Sequence, residues 1–120
     1  MTKKTLVLGA SENPTRYSYI AVERLVAKNY PVIALGRKAG KIGNTSIITH
    51  QIQIADLDTI TIYLSAENQQ QYYNYILSLN PKRIIFNPGA ENNELEIIAK
   101  SKGIEVLNGC TLVLLSIGRY

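Results

Sequence analysis

The residues best suited to chemistry lie in one glycine-led segment, Gly9-Ala10-Ser11-Glu12-Asn13-Pro14-Thr15-Arg16-Tyr17-Ser18. It follows the apolar run Leu6-Val7-Leu8 and precedes a stretch of helical spacing. A glycine that ends a strand and feeds a helix start is a geometry for holding phosphate. Backbone N–H groups and the positive end of the helix dipole then face the same point. The glycine fingerprint of a dinucleotide site is missing, because Ser11 and Pro14 stand where its further glycines would fall. Pro14 donates no N–H, so the hydroxyls of Ser11, Thr15 and Ser18, with Arg16, must supply part of any phosphate contact. The candidate binding residues of this turn are therefore Gly9, Ala10, Ser11, Asn13, Pro14, Thr15, Arg16, Tyr17 and Ser18. The alternative is an ordinary strand–helix turn capped by Ser or Thr.

A second turn, Gly36-Arg37-Lys38-Ala39-Gly40-Lys41, follows the apolar run Pro31–Leu35. In an NAD site the end of the second strand carries an acid for the ribose hydroxyl. Here no Asp or Glu occurs between Glu23 and Asp56. A carboxylate would repel a phosphate on the ribose, whereas Arg37 and Lys38 would attract it. NAD is thus disfavoured, and coenzyme A (3′-phosphate) and NADP (2′-phosphate) are the two common molecules that fit. Gly36, Arg37 and Lys38 are the candidate residues; a merely solvated basic turn is the alternative.

Other reactive side chains point to less. Cys110 alone cannot form an internal disulfide or a cysteine zinc site. It follows the fifth expected strand, where a lowered pKa or a mixed disulfide with a ligand thiol is conceivable, but a small buried hydrophobe is the better reading. His50, the only histidine, has no second His or Cys with which to share a metal, and no marked nucleophile for a triad. Asp56 and Asp58 read as turn residues before a strand. Neither a catalytic nor a metal-binding residue is assigned.

These turns need elements to position them. The chain has 120 residues, 46% hydrophobic and 18% charged, which suits one globular domain over residues 1–120 and argues against disorder. No apolar run reaches the roughly 20 residues of a membrane span, and Leu6-Val7-Leu8 is too short for a signal peptide, so a cytosolic domain is expected. Residues 1–41 hold eight basic and two acidic side chains, a net of +6, against −2 for the remainder, which places an anionic partner at the first third. No Lys/Arg run with interleaved aromatics supports nucleic acid.

Thr5–Gly9, a helix with Ile20, Ala21, Leu25 and Val26 ending near Asn29, and Pro31–Gly36 form one β-α-β unit. Ile47–Ile54 reads as a loop with a short strand. Thr59–Leu64 is a third strand, and Glu67–Leu79 a helix stopped by Asn80-Pro81. Arg83–Asn87, a helix over Asn92–Lys102, the strand Ile104–Leu107 and an apolar helix Thr111–Ile117 complete the chain. Strict alternation predicts an α/β, Rossmann-like three-layer sandwich with a five-stranded, mainly parallel sheet. Ligands on such sheets bind at the carboxyl ends of the strands. Tyr72 is expected in the core, with Tyr73 or Tyr75 facing solvent or another subunit. The apolar C-terminal helix is a candidate homodimer face.

The segment Gly9-Ala10-Ser11-x-x-Pro14 before a helix, a second strand ending in basic residues, and Asn87-Pro88-Gly89-Ala90-Glu91 after the fourth strand resemble the small stand-alone CoA-binding domain family. They are also similar to the CoA-binding domain of succinyl-CoA synthetase alpha chains. The resemblance implies a Rossmann-like fold that binds coenzyme A without a reaction of its own. It implies Gly9, Ala10, Ser11, Pro14 and Arg16 at the pyrophosphate, and Arg37 and Lys38 near the adenosine and its 3′-phosphate. Leu64-Ser65-Ala66 would flank the adenine or pantetheine, and Asn87, Pro88 and Gly89 would line the pantetheine side. The chain departs from the family pattern in three places: Gly36-Arg37 replaces an Asn-Pro pair, Phe86 a Trp, and Asn108-Gly109-Cys110 an Asp-Arg-Cys.

The expected function is a non-catalytic binding module for coenzyme A or an acyl-CoA. An NADP-dependent reductase or a subunit of a larger acyl-CoA ligase is the runner-up. Against the reductase, Tyr17, Tyr19 and Tyr30 have no Lys at the Tyr-x-x-x-Lys spacing of a proton donor. A ligand-free interaction domain is the third reading.

Overall fold

Alternating runs of β-branched and aliphatic residues, each closed by glycine, proline or asparagine, dictate most of the architecture. A computed structural model describes residues 3–120. In chain order the elements are β1 (Thr5–Leu8), α1 (Tyr17–Ala27), β2 (Val32–Leu35), β3 (Gly40–Ile42), β4 (Thr45–Ile48) and β5 (Thr59–Ile62). There follow α2 (Ala66–Gln69), a single 3₁₀ turn (Gln70–Tyr72), α3 (Tyr73–Leu79), β6 (Arg83–Phe86), α4 (Asn93–Ser101), β7 (Glu105–Asn108) and α5 (Thr111–Ser116).

The sheet has seven strands in the order β3-β4-β2-β1-β5-β6-β7, not five. The extra strands form a hairpin closed by Gly43-Asn44, in which Ile42 pairs with Thr45 and Gly40 with Ile47. Gly43 has φ +58, and a two-residue turn of this kind supplies the twist a hairpin needs. β4 pairs parallel with β2, so β3 is the one antiparallel strand. The short strand expected within Ile47–Ile54 thus starts earlier, at Thr45, and ends at Ile48, and the chain from Thr49 to Asp58 is loop.

Period-two alternation then divides the core. Leu6, Leu8, Ile60, Ile62, Ile84 and Phe86 face α3 and α4, where Ile76, Leu79, Leu95 and Ala99 meet them. Val7, Ala34 and Ile85 face the other way, against Val22 and Leu25 of α1 and Leu115 of α5. Each fully buried aliphatic side chain contributes roughly 1.5–3 kcal/mol. On α1 the inward residues include Ser18, Ala21, Val22 and Leu25, so Val22 takes the place expected of Val26, which is exposed. Asn29, with φ +66, stops the chain beyond that helix. Asn92 caps α4 by accepting the Leu95 N–H at 3.1 Å.

The single helix expected over Glu67–Leu79 is broken into α2, the 3₁₀ turn and α3. Buried Gln69 fixes the break. Its amide nitrogen donates to the carbonyls of Leu64 (2.8 Å) and Ala90 (2.7 Å), and its oxygen accepts from Asn92 (2.9 Å). The tyrosines follow this geometry rather than a continuous helix. Tyr75 is buried and donates to the Ile52 carbonyl at 2.6 Å, whereas Tyr72 is only half-buried. On α5, Thr111 and Leu115 are buried and Val113 is exposed, as is Ile117 at the helix's C-cap. No helix among the described residues is long and apolar enough to cross a membrane.

Candidate functional site

β1 is where the connection changes direction: it pairs with β2 on one side and β5 on the other. At the carboxyl ends of these strands their loops enclose an open cleft of about 840 Å³, within the ordinary range for small-molecule sites. A smaller depression of about 330 Å³, lined by Asp56, Leu57, Leu79, Asn80 and Lys82, lies at the opposite ends of the strands.

The first wall is the loop after β1. Gly9 turns at φ +96, close to the Leu64 side chain, and the N–H groups of Gly9 and Ala10 both donate to the Leu35 carbonyl at 2.9 and 3.0 Å. The Ser11 hydroxyl accepts from the Asn13 N–H, and the Asn13 side chain accepts from both the N–H and the hydroxyl of Thr15. The acceptor oxygens of Ser11 and Asn13 thus shape the loop, while the Ser11 hydroxyl keeps its own proton to donate. None of them caps α1, whose N-cap residue is Arg16 and whose first turn has no side-chain partner. The start of an eleven-residue helix thus opens on the cleft with its N–H groups uncapped by side chains, and Arg16, Tyr17 and Ser18 line that opening.

The second wall is the turn after β2, with Gly36, Arg37 and Lys38 on the cleft. Residue 36 must be glycine, because a β-carbon there would overlap the Ala10 carbonyl oxygen. The one ion pair among the described residues joins Lys100 to Glu96 at 2.9 Å on α4. Arg16, Arg37 and Lys38 are exposed and form no ion pair, so the cleft is bordered by three cations against one carboxylate, Glu12. The third wall comes from Tyr63, Leu64 and Ser65 after β5, Asn68, Gln71 and Tyr72 from the broken helix, and Pro88.

Of the residues expected from the sequence, Gly9, Ala10, Ser11, Asn13, Arg16, Tyr17, Ser18, Gly36, Arg37, Lys38, Leu64, Ser65 and Pro88 meet on this cleft. Pro14, Thr15, Asn87 and Gly89 are not among its lining residues. Asn87 is buried and turned inward. Its amide nitrogen donates to the Thr61 hydroxyl (2.7 Å) and the Ile62 carbonyl (2.9 Å), and its oxygen accepts from the Thr111 N–H (2.9 Å). It ties β5, β6 and α5 together and does not line the cleft. Gly89, at φ +91, donates its N–H to the Glu91 carboxylate. The expectation missed Glu12, Tyr63, Asn68, Gln71 and Tyr72. The break at Gln69, which turns three of these toward the cleft, has no periodic signature.

His50 is exposed after β4, and no group of three His, Cys, Asp or Glu side chains among the described residues could hold a metal. Cys110 is half-buried at the start of α5 and does not line the cleft. Asp56 is a left-handed turn residue, φ +56. Tyr63 reaches under the cleft floor, where burial pushes its phenol up to about 12.

Residues 3–116 match the family model for the CoA binding domain. The chain belongs to that family. The crystal structure of an uncharacterised protein is 50% identical, with a TM-score of 0.97; the match covers 100% of this chain and 99% of the other. A Thermus thermophilus protein described as cell-free ID.343 is 18% identical, with a TM-score of 0.86 and coverage of 99% and 91%. A hypothetical protein from Pyrococcus horikoshii OT3 is 19% identical, with a TM-score of 0.84 and coverage of 93% and 80%. At those identities the two latter matches speak for the shared fold. No curated protein sequence matches.

Proposed function

We infer that this CoA binding domain is a non-catalytic module that holds coenzyme A or an acyl-CoA in the cleft at the carboxyl ends of β1, β2 and β5. The observation that carries the reading is the uncapped start of α1 beside three cations without acid partners. The N–H groups of the first turn, with Ser11 and Arg16, receive the pyrophosphate. Arg37 and Lys38 receive the ribose 3′-phosphate, for which two charges of one sign serve better than the carboxylate of an NAD site. Leu64, Ser65, Asn68, Gln71, Tyr72 and Pro88 form the wall along the pantetheine arm, an apolar surface edged with amides. These residues suit coenzyme A in charge, and the cleft suits it in size.

Thermal denaturation with coenzyme A, dephospho-coenzyme A, NADP and NAD at equal concentrations tests the reading. A ligand at about 100 times its dissociation constant stabilises by roughly 2.7 kcal/mol, a shift of several degrees. Coenzyme A is expected to raise the midpoint most, dephospho-coenzyme A less, and NAD not at all. A larger shift with NADP than with coenzyme A would replace the module by a reductase-type cofactor site.

A further inference from the structure

One carboxylate, Glu12, sits in the loop that offers its N–H groups to an anion, and it lines the same cleft as Arg16, Arg37 and Lys38. A negative charge there opposes the binding of any phosphate, so its presence calls for a compensating role. It forms no ion pair with the neighbouring cations. Instead its Oε2 accepts the backbone N–H of Lys41 at 2.8 Å, across 29 residues of chain. Glycine at residue 40 leaves the room that bond uses: a β-carbon there would overlap the Glu12 carboxyl carbon, and the side chain would have to swing away from Lys41.

The turn that carries Arg37 and Lys38 is thereby held at both ends by the loop after β1. At its start Gly36 lies against the Ala10 carbonyl, and at its end Gly40 and Lys41 lie against Glu12. Between these anchors Arg37, Lys38 and Ala39 are exposed. We propose that Glu12 is a positioning residue that fastens the basic turn over the phosphate loop and so sets the preference for a nucleotide with a ribose phosphate. The preference rests on the coenzyme reading above; the fastening does not. A charge-assisted hydrogen bond to a carboxylate is among the stronger ones available, which offsets the repulsion that the same carboxylate exerts on the ligand.

The test compares Glu12→Gln, whose amide oxygen can still accept the N–H, with Glu12→Ala, which cannot. Two readouts are taken: hydrogen exchange at the Lys41 amide without ligand, and the ratio of dissociation constants for dephospho-coenzyme A and coenzyme A by calorimetric titration. Glu12→Ala is expected to speed Lys41 exchange at least about tenfold and to reduce the ratio about tenfold. Glu12→Gln should keep both near the native values while binding either ligand somewhat more tightly, since the charge is gone. Gly40→Ala should reproduce Glu12→Ala. Native exchange and native ratio in Glu12→Ala would overturn the proposal, as would a Glu12→Gln variant behaving like Glu12→Ala. If the native protein bound neither ligand, the coenzyme reading would fall, and Lys41 exchange alone would decide the fastening.

Discussion

The carbonyl oxygen of Ala10 occupies the space into which any β-carbon on residue 36 would project. The two turns of the candidate site are thus in backbone contact, and neither can shift without the other. Ala10 also donates its N–H to the Leu35 carbonyl at 3.0 Å, immediately before that glycine. Gly36→Ala must push one loop away from the other, at a cost of about 1–3 kcal/mol, since the obstacle is backbone and not a flexible side chain. Denaturant unfolding is expected to show that loss, and titration to show weakened coenzyme A binding.

Arg37 and Lys38 have no partner of opposite charge and touch the cleft from one side only. Replacing both by Ala should leave stability within about 0.5 kcal/mol, as for surface changes generally. Coenzyme A affinity should fall about tenfold or more, and dephospho-coenzyme A affinity much less. Equal losses for the two ligands would mean that these side chains do not meet the ribose phosphate.

Asn87 behaves oppositely. Its side chain makes three internal hydrogen bonds and is 1% exposed. Asn87→Ala is expected to cost about 2–4 kcal/mol, by leaving the Thr111 N–H and the Ile62 carbonyl without that partner. The melting temperature should drop by roughly 10 °C. Coenzyme A affinity measured well below the new midpoint should survive, because the residue braces the floor and does not face the ligand.

Alkaline stability follows from the tyrosines. Burial holds the Tyr63 phenol at about 12, above its ordinary value of 10.0, and raises those of Tyr73, Tyr75 and Tyr120 as well. The folded protein therefore keeps protons that the unfolded chain releases above pH 10. Stability is fully present below pH 10 and is lost as pH rises through 12. A pH series of melting temperatures from 8 to 12 should fall progressively above 10, and Tyr63→Phe should flatten part of that decline.

Much of this was written in the residues, and the reasons differ from place to place. Leu6-Val7-Leu8 and Ile84-Ile85-Phe86 are apolar at every position because both sheet faces are covered, and such runs can be read directly. Gly9 and Gly36 marked the ends of β1 and β2 and so located the cleft. The hairpin of β3 and β4 escaped because strands of three and four residues are too short to show a period, although Gly43-Asn44 is a recognisable hairpin turn. The helix break escaped because it is imposed from outside: Gln69 is pinned by Leu64, Ala90 and Asn92, none adjacent to it in sequence. Asn87 was placed correctly after β6, yet its direction is set by Thr61 and Thr111, and a local motif carries no such information.

The central position of β1 also governs how the molecule comes into being during synthesis. Everything proposed to grip phosphate, from Gly9 to Lys38, is translated before β5, as are β1, β2 and the hairpin, which pair with one another. Leu8 then still lacks its neighbour Ile62, and the far wall of the cleft has yet to be translated. Nascent protein at that stage would offer an open, greasy flank along β1 beside the loops proposed to hold phosphate, and the arrival of β5 covers the flank and adds the missing wall.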